Sequence, residues 1–163
     1  MKTYDYSNPN YYFITICTWE KKCIFGKNTN LNVYGRIAVR GLVKITRHFP
    51  SVRVEKFVVM PNHIHAILVL GENAPNLSVV VGQFKSFVSK QIHTIEPKKK
   101  VWQASFHDHV VRNQKDFERI WLYIESNPGN WEKDCFFQND QQNKETDLVG
   151  GVMTPPYEAG SEM

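Results

Sequence analysis

The sequence predicts an α+β sandwich of the ferredoxin-like (RRM-like) type: an antiparallel sheet in split β-α-β order, helices packed on it, and an extra C-terminal helix. Three observations predict it. Runs of β-branched and aromatic residues alternate with runs of helical periodicity in the order strand, helix, strand, strand, helix, strand, with a helix appended. The two middle strands are joined only by the tight turn Met60-Pro61-Asn62, so they should form an antiparallel hairpin. At 163 residues and 42% hydrophobic, the chain can bury a single core of ordinary size.

Taken in order, Tyr11 to Trp19 is β-branched and aromatic and reads as a first, central strand. A polar loop around Lys21, Lys22, Gly26 and Lys27 follows. From about Leu31 to His48 the spacing predicts a helix with Val33, Ile37 and Ile45 on one stripe. Arg36, Arg40, Lys44 and Arg47 lie beside that stripe as a cationic ridge, which is either a solvated face or a contact for phosphates. Ser51 to Met60 gives the second strand and His63 to Leu70 the third, whose residues Ala66 to Leu70 are apolar on both faces as a strand buried between layers is. Val80, Val81, Phe84, Phe87, Val88, Gln91 and Ile92 mark one face of the second helix, with Lys85, Ser86, Ser89 and Lys90 turned outward. After the exposed Lys98-Lys99-Lys100, residues 101–106 and 109–111 read as an extended segment bent at His107-Asp108. The last helix runs from about Gln114 to Ser126, and Asn127-Pro128 ends it because proline disfavours helix in the residue before it.

Charge divides the chain. Residues 1–137 carry 19 Lys+Arg against 11 Asp+Glu, whereas residues 138–163 carry one Lys against five acids. The first part reads as one domain suited to a polyanion and the second as an acidic tail of disordered composition. Cys17, Cys23 and Cys135 show no paired spacing and read as free thiols. With no apolar run of the roughly 20 residues needed for a membrane span and no signal-peptide core at Met1–Asp5, a cytoplasmic protein without membrane contact is expected. No glycine-rich phosphate loop is present, so no nucleotide cofactor is expected.

Two features carry chemistry. His63 and His65 are two residues apart in a strand, so both emerge on one face, about 7 Å apart along the backbone, as two ligands of a metal ion would. A bare H-x-H also fits two strand histidines bonded to backbone or water. On the last helix Tyr123 and Asn127 are four apart and share a face. Alone, that pair also fits an amphipathic tyrosine and a helix stop. His107 and His109 form a second H-x-H, better suited to a polar surface or DNA contact than to metal.

The segments PNHIHAIL, GQFKSFVSKQI, WQASFHDHVVRN and DFERIWLYIESNP, in this order and spacing, resemble the single-tyrosine HUH transposases, and most closely their branch of REP-associated tyrosine transposases. The resemblance spans about residues 10–135. It implies His63 and His65 as a metal-binding pair, Tyr123 as the nucleophile and Asn127, where mobile relatives tend to have glutamine, as third ligand. It further implies a divalent metal, Mg²⁺ or Mn²⁺, and single-stranded or hairpin DNA as partner, with the protein a monomer or homodimer.

The expected reaction is cleavage and rejoining of DNA at or near hairpins through a 5′-phosphotyrosine. Arg36, Arg40, Lys44, Arg47, Lys98, Lys99, Lys100, His109 and Arg112 are the candidate DNA contacts, with Trp102 and Tyr12 as stacking platforms. Two rivals stand beside it: a hairpin-binding module for DNA or RNA that cuts nothing, and a phosphodiesterase that uses water. The first reading requires the Tyr123 hydroxyl to reach the face that carries both histidines; a hydroxyl buried in the core, or pointing to the opposite side of the sheet, defeats it.

Overall fold

Each of the three α-helices among the described residues starts on an asparagine, whose side-chain oxygen satisfies backbone N–H groups that the first helical turn leaves without partners. Asn32 accepts from the N–H groups of Tyr34 and Gly35 at 3.0 Å each, Asn76 from Val79 at 3.0 Å and Asn113 from Asp116 at 2.8 Å. They open α1 (Val33–His48), α2 (Leu77–His93) and α3 (Gln114–Ser126). The computed structural model describes residues 10–27 and 29–133. The acidic tail from residue 138 and Cys135 lie outside the described residues.

The strands are β1 (Asn10–Cys17), the two-residue β2 (Gly26–Lys27) and β3 (Asn30–Leu31), then β4 (Val52–Met60), β5 (His63–Leu70) and β6 (His107–Val110). Four of them form one antiparallel sheet in the order β4-β5-β1-β6, with β5 interior and β4 and β6 at the edges. This is the order a split β-α-β sandwich requires, and the α+β class is as expected.

The sheet has a core on each face. Ile14, Ile16, Ile64, Ala66 and Leu68 point to one side and pack with Ile37, Leu42 and Ile45 of α1 and Val80, Phe84 and Val88 of α2. The alternate residues Phe13 and Ile67 point to the other side, where Ile120, Tyr123 and Ile124 of α3 cover them. Gly41 allows α1 and α2 to approach closely, since a Cβ there would stand 2.9 Å from the Phe84 ring. A helix-interior glycine costs about 0.5–1 kcal/mol relative to alanine, and this close approach is what offsets it.

Several expectations need correction. Val33 is 42% exposed; the buried stripe of α1 runs instead through Gly35, Ile37, Ala38, Gly41, Leu42 and Ile45, so small residues do part of the packing. β1 ends at Cys17, and Trp19–Lys21 forms a 3₁₀ turn in which Glu20 and Lys21 both have positive φ, 50° and 54°. Lys85 is not simply outward, because its Nζ donates to the carbonyls of Gln103 at 3.0 Å and Ser105 at 2.5 Å. The bend lies at Ala104-Ser105, with Ser105 at φ 68°, and His107-Asp108 belongs to β6. Trp102 makes one isolated bridge to Thr18. Within the expected polar loop, Gly26 and Lys27 pair with Leu31 and Asn30 as the short β2–β3 hairpin. Among the described residues, no helix is long and apolar enough to cross a membrane.

Candidate active site

Register places the two histidines before any side-chain detail does. In β5 they face Cys17 and Thr15 of β1 on one side and Met60 and Val58 of β4 on the other. All of these lie on the α3 face of the sheet. Both imidazoles are fully buried, and their ring centroids are 4.6 Å apart. His65 Nδ1 lies 2.9 Å from the Thr15 hydroxyl, and Phe13 stacks on the ring at 5.3 Å. His63 Nδ1 lies 2.8 Å from Asn62 Oδ1, and Trp131 stacks on it at 6.0 Å. Each ring therefore has Nδ1 engaged and is wedged by an aromatic, so neither can swing freely.

α3 brings Tyr123 to this face. Its hydroxyl is 3.4 Å from His65 Nε2, and its ring sits edge-on to Phe13 at 6.2 Å. Tyr123 is 7% exposed; the hydroxyl is buried, but beside His65 rather than among apolar side chains. Asn127, one turn later, is fully buried, and neither amide atom of its side chain makes a hydrogen bond. It lies in the chain between Tyr123, which touches His65, and Trp131, which covers His63. A buried amide without partners costs roughly 1–3 kcal/mol, so Asn127 carries donor and acceptor capacity that the described residues do not use. Among the described residues no three His, Cys, Asp or Glu side chains gather as a metal cluster. Two imidazoles and a neutral amide oxygen nonetheless suit a divalent cation that keeps positions for water and phosphate. The donor set fits.

A clamp holds α3 against β6. Asp116 accepts from His109 Nε2 at 2.8 Å, from the Arg112 N–H at 3.1 Å and from Arg119 at 2.7 Å. Burial pushes the Asp116 carboxyl up, but the bonds from His109, Arg112 and Arg119 outweigh it and hold the carboxyl below the ordinary carboxylate range. A depressed folded value means that the stabilisation is complete above the unfolded value of about 3.9 and is lost as pH falls through the folded one. Acid titration should therefore loosen α3 below about pH 4. Asp116→Ala, which leaves His109 and the Arg112 N–H without their acceptor, should lower stability by about 1–3 kcal/mol. Chemical denaturation at neutral and acid pH checks both; a variant as stable as the parent at neutral pH would show that the clamp contributes nothing.

The other expected contacts fall in different places. Arg36, Arg40, Lys44 and Arg47 are all exposed on α1, across the sheet from the histidines. Arg40 and Lys44 line a cavity of about 130 Å³ against Phe87 and Gln91 of α2, and Lys44 Nζ sits 4.6 Å from the Phe87 ring centre. The Lys98-Lys99-Lys100 loop lies at the His63 end of the sheet, since Trp19 N–H donates to Val101 O at 3.0 Å and Gln103 N–H to Cys17 O at 3.1 Å. Lys100 Nζ is 4.4 Å from the Trp19 ring centre. Trp102 packs between Phe25 and Phe84 and donates to Lys85 O at 3.0 Å. Tyr12 is half-buried on the α1 and α2 side. Arg112 is exposed, and His107 is exposed on the site face opposite Thr15.

Sequence reasoning missed Thr15, Asn62, Asp116 and Trp131 as parts of this neighbourhood. Asn62 stood beside the histidines and Asp116 three residues after a helix-capping asparagine, so both had a local signal. Thr15 and Trp131 are brought in only by strand pairing and by the turn after α3.

The family model described as transposase IS200-like matches residues 6–127, and the chain belongs to that family of transposases. An uncharacterized protein of Haemophilus influenzae is 32% identical over 162 residues, covering 84% of this chain and 90% of that one. The REP-associated tyrosine transposase of Escherichia coli K12 is 32% identical over 87 residues, covering 53% of this chain and 50% of that one. The solved structure of a REP-associated tyrosine transposase bound to a REP hairpin is similar in fold, with a TM-score of 0.60 at 21% identity, covering 95% of this chain and 99% of that one.

Proposed function

We propose that this transposase is a metal-dependent, single-strand-specific DNA transesterase with Tyr123 as nucleophile and His63, His65 and Asn127 as ligands of a divalent cation, Mg²⁺ or Mn²⁺. The observation that carries the reading is the placement of the Tyr123 hydroxyl 3.4 Å from His65 Nε2, on the face that both histidines share. A cation held there supplies charge neutralisation and orientation of a phosphodiester oxygen.

The rest falls to the chain's own residues. Tyr123 Oη attacks phosphorus, forms the new P–O bond and breaks the bond to the 3′ oxygen. The phenolic proton leaves to solvent and the departing oxygen takes one up, giving a 3′-hydroxyl and a 5′-phosphotyrosine. Attack by a 3′-hydroxyl on that linkage rejoins DNA and restores the phenol, so no nucleotide is consumed. Phe13 and Trp131 keep the imidazoles in place and exclude water, which would hydrolyse the intermediate and waste the linkage. Tyr123 and His65 meet within one chain, and this reading takes the monomer as the working unit.

Hairpin DNA is the substrate class this reading assigns, in keeping with the related protein solved with a REP hairpin. Exposed Arg36, Arg40, Arg47 and Arg112, with the Lys98–Lys100 loop, would take backbone phosphates. Incubation of labelled hairpin DNA with protein and Mn²⁺ should give a protein–DNA adduct that survives denaturation.

The deep burial of Tyr123 favours a second reading, a hairpin-binding module that does not cut. Hairpin affinity unchanged by chelator and by His63→Ala, with no adduct on any hairpin, would establish it instead.

A further inference from the structure

The transesterase reading names the metal ligands but leaves open which nitrogen of His63 carries the lone pair. A ring with the proton on Nε2 offers that atom nothing to bind with, so the tautomer decides whether the ligand exists. Asn62 decides it.

Asn62 is fully buried, in the turn between β4 and β5. Its Nδ2 donates to the carbonyl of Lys21 at 3.1 Å. A carbonyl can only accept, so this bond fixes the amide's orientation, with NH₂ toward Lys21 and Oδ1 toward the opposite side. Oδ1 stands 2.8 Å from His63 Nδ1 and likewise can only accept. The proton must therefore sit on Nδ1, and Nε2 keeps its lone pair.

The carbonyl that starts this chain of bonds is held in an unusual place. Glu20 and Lys21 are consecutive non-glycine residues at φ 50° and 54°, a left-handed conformation that L side chains strain to adopt. Thr18 anchors the turn, its hydroxyl lying 2.7 Å from Lys22 O and 3.0 Å from Asn62 O. The strained turn thus aims Lys21 O at the amide of Asn62.

We infer that Asn62 is a positioning residue that sets His63 in the Nδ1–H tautomer and so presents Nε2 as the ligating atom, with the Trp19–Lys21 turn setting Asn62. The inference rests on the transesterase reading for its purpose but not for its geometry.

Long-range ¹H–¹⁵N spectra of the imidazoles test it on the metal-free, full-length protein at mildly alkaline pH, above the ordinary imidazole range. In the parent protein His63 should show a protonated, pyrrole-type Nδ1 and a bare, imine-type Nε2. Nε2–H as the dominant form would overturn the inference. Asn62→Ala should move His63 toward Nε2–H and leave the His65 spectrum unchanged. Mn²⁺ affinity, followed by the free-ion electron paramagnetic resonance signal, should fall about 10–100-fold in that variant, as loss of an outer hydrogen-bonding partner does. An unchanged His63 tautomer in folded Asn62→Ala would also overturn it. If the parent shows the Nδ1–H form but binds no Mn²⁺, the metal reading fails while the tautomer assignment stands.

Discussion

Tyr123→Phe should abolish the covalent protein–DNA adduct while leaving Mn²⁺ binding and the fold intact. The substitution removes one oxygen, 3.4 Å from His65 Nε2, and leaves the ring to pack against Phe13, Ile120 and Ile124. If Tyr123 is the nucleophile, the buried threonines near the histidines do not take its place: Thr15 is occupied against His65, and Thr18 bonds Lys22 O and Asn62 O. The expected loss is to the level of the uncatalysed background, of order 10³-fold or more, because a covalent route has no partial version. Gel analysis of labelled hairpin DNA after denaturation reads this directly. Persistence of the adduct in Tyr123→Phe would remove this residue from the role, and free 5′-phosphate ends without adduct would point to the water-using phosphodiesterase.

The second expected result runs in two directions at once. Asn127→Leu should make the metal-free protein more stable by about 1–3 kcal/mol, because it replaces two buried polar atoms that make no hydrogen bond by apolar ones of similar shape. The same change should weaken Mn²⁺ binding and so erase most of the thermal stabilisation that Mn²⁺ gives the parent, which for a ligand at 100 times its Kd is about 2.7 kcal/mol. Thermal melts with and without Mn²⁺ on both proteins test it. A variant that is less stable without metal would show that the amide is satisfied by groups such as bound water, and the case for Asn127 as ligand would lose its support.

How far the sequence carried these conclusions depends on the range of each interaction. The helix α3 was readable to its ends, Gln114 and Ser126, because a capping asparagine and a proline punctuate it locally. The shared face of His63 and His65 followed from the two-residue period of a strand, and the register then needed only pairing partners. What stayed hidden is what pairing creates. Thr15 is one hydroxyl in an apolar strand until β1 lies beside β5 and sets it against His65. The path of Lys85 back to the carbonyls of residues 103 and 105 depends on how a loop folds over α2, which periodicity cannot report. Val33 misled because it is apolar at the right spacing, whereas Gly35 and Gly41, which are buried, have no hydropathy to signal it. The α1 ridge Arg36, Arg40, Lys44 and Arg47 is a candidate by charge, and charge does not say which side of a sheet a helix covers.

The two-sided core has a consequence for motion. α1 and α2 share the larger cluster with one face of the sheet, whereas α3 rests on a smaller one of its own. Its described ties beyond that cluster include the Asp116 clamp, the Tyr123–His65 contact at 3.4 Å, the Tyr11–Phe117 ring pair at 5.8 Å, the Lys56–Glu125 pair at 3.6 Å and the Lys56 ammonium 4.3 Å from the Trp121 ring centre. A helix resting on a smaller core of its own is expected to open before the sheet and its other two helices. Backbone amides of α3 should accordingly exchange with deuterium well before those of β1 and β5. If Tyr123 is the nucleophile as proposed, such opening would let a side chain that is 7% exposed reach a strand of DNA and return with it to the histidines.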